Sequence, residues 1–460
     1  MSKPPPLRRR VALLAVAVLV TPLLFVLGQP APARADVGVR PTENVYTAPE
    51  ATPVCRDGIC VHYAQDGTND VPTEDDGGGG TWPGVADNGV PDLVDLISTS
   101  LLPQAATTFA DAGYRAPVGD GALGGGTDQV DFYVAELAEV DGGASCVRET
   151  PDSTTTTAGY CLIDNDYSAA EYGTRLSPVQ NLELDVLHQY FYLVQWAYTA
   201  ANDLFGDAAA SWVEDEIYIS YNRNRAYLPY GPLGQPQGSL YEPTTPYDGD
   251  GRWIFFRYLS ERFPARTGAL PTIVREYWEA RTAYPDRYWA LLALEKVLTS
   301  HGTALDAEVT EFTRWNLDPA RSYREGAAYK PVPVAQVLTP TKASPRRTAA
   351  WGSLRDFVSR TVRIKPGKGL TGGGWRIRLA SDIDTWFTGL DGGVVLGIKR
   401  VGQPLKTRVI VDPSPATLEL PFGTGVEWVS YTWVSARVWE ADEPDPNFLD
   451  RTLTVKALRR

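Results

Sequence analysis

The side chains of this sequence best suited to metal or proton chemistry gather between Asn181 and Glu216. His occurs three times in the chain, at His62, His188 and His301. His188 opens the run His188-Gln189-Tyr190-Phe191-Tyr192, and Asp207 and Glu214 follow soon after. Helix positions four apart share a face, so a helix here turns His188 and Tyr192 the same way. An imidazole set beside carboxylates can hold a divalent cation or move a proton. The residue after His188 is Gln189, an amide, whereas activating a bound water would need a titratable base. An amide has no usable proton-accepting pKa and cannot do that work. There is no G-x-S-x-G elbow and no convincing Cys/His nucleophile set. Glycosidase-type carboxylate pairs stay open only because Asp and Glu are abundant.

The stretch 181–216 reads as two helices joined by a short polar loop, and it resembles the core of gluzincin-type zinc metallopeptidases. In that pattern a first helix carries H-E-x-x-H, with two His ligands flanking a general base, and a second helix supplies a Glu as third ligand. The resemblance maps His188 and Tyr192 onto the two His positions and Gln189 onto the base. It maps Asp207 onto the third ligand and Glu214 onto a carboxylate that supports the ligand helix. The scaffold residues match and the chemistry largely does not. A phenol must lose a proton near pH 10 to bind zinc well, and Asp207 has one methylene less reach than Glu. The expectation is no catalytic residue and no zinc, with zinc relevant only if the chain is an active enzyme. A plainer reading treats His188, Tyr192 and Gln195 as a polar stripe satisfied by hydrogen bonds on a half-buried helix.

The segments around this stretch suggest how it is held. Asp128–Leu137 and Tyr160–Tyr167 alternate as strands, and Asp164-Asn165-Asp166-Tyr167 resembles a strand end preceding the metal helix in a group of bacterial secreted metallopeptidases. Trp253–Phe263, Pro271–Ala283, Tyr288–Thr299 and Leu305–Trp315 have helical apolar spacing and read as a helical lobe. From Trp351 onward, short alternating segments separated by turns predict an antiparallel β-sandwich of about eight strands. Within it, Val429, Tyr431, Trp433 and Trp439 lie on one face, as core or as a carbohydrate platform. The expected class is α+β: a zincin-like β-plus-helix domain with a helical lobe, then the sandwich. Its divisions are a signal peptide at 1–35, a β-containing half at 36–180, a helical half at 181–330, a linker at 331–350 and the sandwich at 351–460. Asp36–Gly80 reads as irregular.

Arg8-Arg9-Arg10, the apolar run Val11–Leu27 and the Ala33-Arg34-Ala35 site form a secretory signal, with cleavage expected after Ala35. An uncleaved anchor is the alternative, and no other segment is apolar enough to span a membrane. Cleavage removes Lys3, Arg8, Arg9, Arg10 and Arg34, taking the formal net charge from −13 to −18. That balance argues against nucleic acid as a partner. Four cysteines in an exported chain suggest two disulfides. Three connectivities are open, and the local pairs Cys55–Cys60 and Cys146–Cys161 are the simplest. Asp87-Asn88-Gly89-Val90-Pro91-Asp92-Leu93-Val94-Asp95 is a candidate calcium loop through Asp87, Asp92 and Asp95, or else a turn leading into a helix.

The function these features favour is a secreted, inactive peptidase-like protein that binds or scaffolds an extracellular peptide, protein or cell-wall component. The alternatives are an active zinc peptidase with an aberrant site and a carbohydrate binder acting through the sandwich.

Overall fold

In the computed structural model, five strands, β1 (Val54–Arg56), β2 (Ile59–His62), β3 (Val130–Ala135), β4 (Ala144–Arg148) and β5 (Gly159–Asp164), form a sheet in the order β1-β2-β3-β5-β4. The residues described are 46–459 without 47, 77–78, 84–86, 122, 124, 138–142, 150–154, 202, 239, 241–247, 287–288, 352–356, 383–391, 412–416 and 437–450. The proposed signal peptide and Trp439 lie outside them. β2, β3 and β5 run parallel, and β1 and β4 are antiparallel edges. β1 and β2 correct the irregular reading of Asp36–Gly80. They are joined by Asp57-Gly58, both at positive φ (49° and 85°), as a two-residue hairpin turn needs for its twist to match the strands. Both disulfides link directly paired residues, Cys55–Cys60 across this hairpin and Cys146–Cys161 between β4 and β5.

Helix α1 (Asp92–Leu96) passes through a π-helical turn (Ile97–Leu101) into α2 (Leu102–Asp111). A short α3 (Ala169–Tyr172) precedes α4 (Pro178–Trp196), and α5 (Gly206–Ile217) follows. Strong local signals start α4: Ser177 and Gln180 form a reciprocal capping box and Pro178 occupies the first turn. α4 packs against β4, β5, α2 and α5, so it is buried on nearly every side. This explains its weak amphipathicity, and it means that its polar residues Asp185, Gln189 and Gln195 need internal partners. Phe191 stacks on Phe109 of α2, with ring centroids 4.8 Å apart. Gly159 gives α4 its approach to the sheet. A Cβ there would lie 2.3 Å from the Trp196 ring and 2.5 Å from the Val147 carbonyl oxygen.

Beyond α5 lie α6 (Asp248–Gly251), α7 (Trp253–Arg262), α8 (Thr272–Arg281), α9 (Ala290–Ser300) and α10 (Leu305–Leu317). The latter four match the helical spacing seen in the sequence. A short two-stranded ribbon of β6 (Arg266–Thr267) and β7 (Leu270–Pro271) lies between α7 and α8. α7 packs on α5, with the Trp212 indole N–H donating to Ser260 Oγ at 2.9 Å.

The C-terminal part contains two sheets, ordered β13-β12-β15-β10-β8 and β14-β11-β16-β9. The first comprises β8 (Gln336–Leu338), β10 (Val358–Ile364), β12 (Gly392–Arg400), β13 (Lys406–Val411) and β15 (Val426–Ser435). The second comprises β9 (Arg346–Trp351), β11 (Trp375–Asp382), β14 (Leu418–Pro421) and β16 (Arg451–Arg459). Both sheets feed one apolar core, including Val362, Ile377, Leu396, Tyr431, Trp433 and Val455. Two expectations change here. The stretch read as a linker, 331–350, supplies β8 and most of β9, and β8 pairs parallel with β10. Val429, Tyr431 and Trp433 are buried in that core and present no platform to sugars. The two sheets are also not a free-standing appendage. α10 packs on β12, β13 and β15, and the described residues all fall within one compact unit.

The close contact at Gly159 gives a direct test. Gly159→Ala is expected to destabilise the protein by about 1–3 kcal/mol through overpacking against Trp196, read as a lower midpoint in urea unfolding with an unchanged slope.

Candidate functional site

The structure brings His188, Tyr192, Asp207 and Glu214 into one seam between α4 and α5, buried at Glu214, half-buried at His188 and Tyr192, and exposed at Asp207. Across the helix pair Glu214 meets His188, and Asp207, two turns before Glu214 on α5, meets Tyr192, one turn after His188 on α4. The His188 Nδ1–Glu214 Oε1 distance is 2.6 Å, and the Tyr192 hydroxyl donates to Asp207 Oδ1 at 2.6 Å. Between these pairs Ser211 donates to Asp250 Oδ1 of α6 at 2.6 Å. Asp207 is itself crowded by Gly249, where a Cβ would lie 2.3 Å from Asp207 Oδ2.

Gln189 points the other way, beneath β4. Its Oε1 lies 3.1 Å from the Cys146 sulfur of the β4–β5 disulfide. Gln195 is satisfied across the helix gap, its amide donating to the Gly206 carbonyl at 3.1 Å.

A residue with no sequence signal completes the seam. Arg223, at the start of a 3-10 turn (Arg223–Tyr227), reaches Asp185 Oδ1 at 2.5 Å and Glu214 Oε1 at 2.8 Å. Asp185 lies three residues before His188, so helical spacing alone places it on the same face as His188. Arg223 comes from a loop, where no periodicity could reveal it.

The electrostatics follow from these partners. Burial alone would lower the His188 pKa, but the Glu214 hydrogen bond and the Glu214 and Asp250 charges outweigh it and hold the imidazole above its usual range. Burial works to raise Glu214, yet Arg223 and His188 bring it below the ordinary carboxylate range. Burial, then Asp207 and Asp250, push the Tyr192 phenol well above its ordinary value. Burial lifts Asp250 to about 6, with His188 and Ser211 opposing and Asp207 adding to it.

This donor set does not fit catalytic zinc, which takes three deprotonated protein ligands and an open position. His188 retains its proton to a higher pH than usual, Tyr192 keeps its proton throughout the neutral range, and Asp207 already accepts from that phenol. Nothing with basic pKa occupies position 189.

Two further places gather metal-binding residue types among the described residues: Cys60, His62 and Asp131, and Glu136, Asp164 and Glu171. In the first, Cys60 is consumed by its disulfide, and His62 is enclosed by Glu50 and Asp131 and stacked on Tyr133 at 4.4 Å. His301 sits apart, with Nε2 2.6 Å from Glu276. The candidate calcium residues do not converge: Asp87 is exposed, whereas Asp92 and Asp95 are buried in α1. Asp92 Oδ2 accepts from the Asp76 N–H at 3.2 Å and Asp95 Oδ2 from the Asn88 amide at 2.8 Å.

No family model matches this chain, and no curated protein matches it.

Two outcomes test the seam. Arg223→Met leaves two buried carboxylates without their cation and is expected to cost about 3–5 kcal/mol, part of which Glu214→Gln restores in the double variant. Folding raises the His188 pKa, so its contribution is complete below the unfolded value and disappears as pH climbs through the folded value. Folding lowers Glu214, so its contribution is present above the unfolded value and is lost as pH falls. The pair therefore stabilises most between about pH 4.5 and 6.5. Denaturant unfolding of His188→Gln beside wild type should show a loss of about 1–3 kcal/mol in that window, shrinking toward pH 9.

Proposed function

We propose that residues 46–330 are a zincin-like scaffold whose peptidase chemistry has been replaced by internal hydrogen bonding, and that the protein acts by binding rather than by catalysis. The observation that carries this reading is the pairing across α4 and α5. The groups at the metal positions are bonded to each other, and a guanidinium provides the positive charge of the seam. The scaffold half of the reading rests on three features. The helix bearing His188 lies beneath a sheet with an antiparallel edge strand. Position 189 faces that edge. Glu214 holds Nδ1 of His188, the nitrogen that a supporting carboxylate orients in a histidine–metal site.

The ligand class we assign is an extended polypeptide, bound along the outer edge of β4. No strand covers that edge among the described residues, and unpaired strand amides and carbonyls are what strand addition uses. The disulfide to β5 keeps the edge rigid without closing it. The two C-terminal sheets fit a β-sandwich that stabilises the helical lobe through α10. The two disulfides fit an oxidising, extracellular setting. No described helix is long and apolar enough to cross a membrane.

Metal analysis tests the reading. After exposure to zinc and dialysis, the wild type should hold no stoichiometric zinc and leave unfolded casein uncleaved. The Gln189→Glu/Tyr192→His double variant should gain zinc, because it restores a second imidazole beside His188. Stoichiometric zinc with casein cleavage in the wild type would overturn the proposal. Failure of both proteins to bind zinc would remove the zincin scaffold from it.

A further inference from the structure

A second acidic cluster lies at the C-terminal ends of the parallel strands. Asp164 is the last residue of β5, Glu136 directly follows β3, and Glu171 is on α3. One carboxylate oxygen from each lies within 4.8 Å of the other two. The parallel register pairs Ala135 with Asp164, so the sheet itself sets the spacing of the first two.

The geometry is held from several sides. The Glu136 N–H donates to Asn69 Oδ1 at 2.9 Å, and Asn165 donates from its amide to the Asp70 carbonyl at 2.8 Å. Tyr167, at φ 47°, turns the chain back so that α3 brings Glu171 over the strand ends. Asp166 Oδ1 accepts from the Ser168 N–H at 2.7 Å and fixes that turn.

Asp164 is the feature that calls for a ligand. It is 0% exposed, and neither of its carboxylate oxygens has a well-formed hydrogen bond. The nearby Tyr172 hydroxyl is likewise without one. Neither Asp164 nor Glu171 pairs with a lysine or arginine among the described residues. A buried, unpaired carboxylate facing two more is expensive unless a cation or a shared proton neutralises it.

We infer that Glu136, Asp164 and Glu171 form a calcium site that ties the ends of β3 and β5 to α3. The donors are all carboxylate oxygens, the hard ligands calcium takes, and Glu171 at the surface leaves room for water to complete the shell. The site is separate from the His188 seam and does not depend on the reading proposed for it. Its structural effect would reach α4, because α3 and the residues after it lead into the Ser177 cap.

The test uses the full chain freed of metal with EDTA at pH 7.5. Calcium should raise the melting temperature by a few degrees, as any ligand selective for the native state does, and magnesium should raise it less. Terbium should give luminescence sensitised by nearby aromatic rings and displaced by calcium. Asp164→Asn should abolish both signals. Glu171→Gln changes only a surface residue and should weaken calcium at least tenfold while leaving the fold intact. Absence of a calcium shift and of terbium luminescence would overturn the site in favour of a proton shared among the carboxylates. Signals that survive Asp164→Asn and Glu171→Gln but vanish in Asp92→Asn would overturn it too, placing the ion beside α1.

Discussion

The arrangement of the N-terminal half depends on one guanidinium. Asp185 and Glu214 are each 2% exposed and belong to different helices, and both accept from Arg223. Two carboxylates cannot be brought together in so dry a place without a cation, since desolvation and mutual repulsion both oppose ionisation. Arg223 therefore sets the distance between α4 and α5 and fixes where the loop after α5 must return. Glu214 then has an oxygen positioned for His188. The aromatic packing around the seam adds apolar stabilisation, but it does not specify this register. Leu, Phe and Trp side chains would tolerate a slip of the helices, whereas the bidentate hold of Arg223 on Glu214 would not.

The parts legible in the sequence were those with a local cause. α4 carried an apolar run and a helix face, and the helices after α5 had clear spacing. β3 and β5 alternated, and the C-terminal strands announced themselves by repeated turns. Local chemistry also made Cys55–Cys60 and Cys146–Cys161 the simplest pairs, and these are the pairs observed. β1 and β2 were missed because each is only three or four residues long and gains its identity from pairing, β1 with β2 and β2 with β3. β8 was hidden in a proline-rich stretch, where it adds in parallel to an edge, a position that tolerates such composition.

The site was legible in the same uneven way. Spacing placed His188, Tyr192, Asp207 and Glu214 on facing helices, and they do meet. It could not say that they would bond to one another, because that depends on which turn of α5 lies opposite which turn of α4. Spacing also could not supply Arg223 or Asp250, which come from loops and a short helix. Nor could spacing say where Asp87, Asp92 and Asp95, the residues of the calcium reading, would lie relative to one another. The motif fixes the order of the carboxylates, while the start of α1 buries two of them and leaves Asp87 in solvent.

These observations bear on where a partner can bind. In an open enzyme site, polar groups wait for a metal, a water or a substrate. Across this seam every carboxylate has a donor: Asp185 and Glu214 from Arg223, Glu214 also from His188, Asp207 from Tyr192, and Asp250 from Ser211. A ligand displacing Arg223 or His188 would leave Asp185 or Glu214 buried and without that donor, a cost its own contacts would need to exceed. The β4 edge carries no such penalty, because its outer amides and carbonyls exchange water for a new strand. That contrast between bonded buried carboxylates and an unpaired strand edge is the physical basis for proposing that a polypeptide adds at β4. Under that proposal His188, Tyr192, Asp207 and Glu214 have a structural task, which is to hold α4 against α5 beneath that edge.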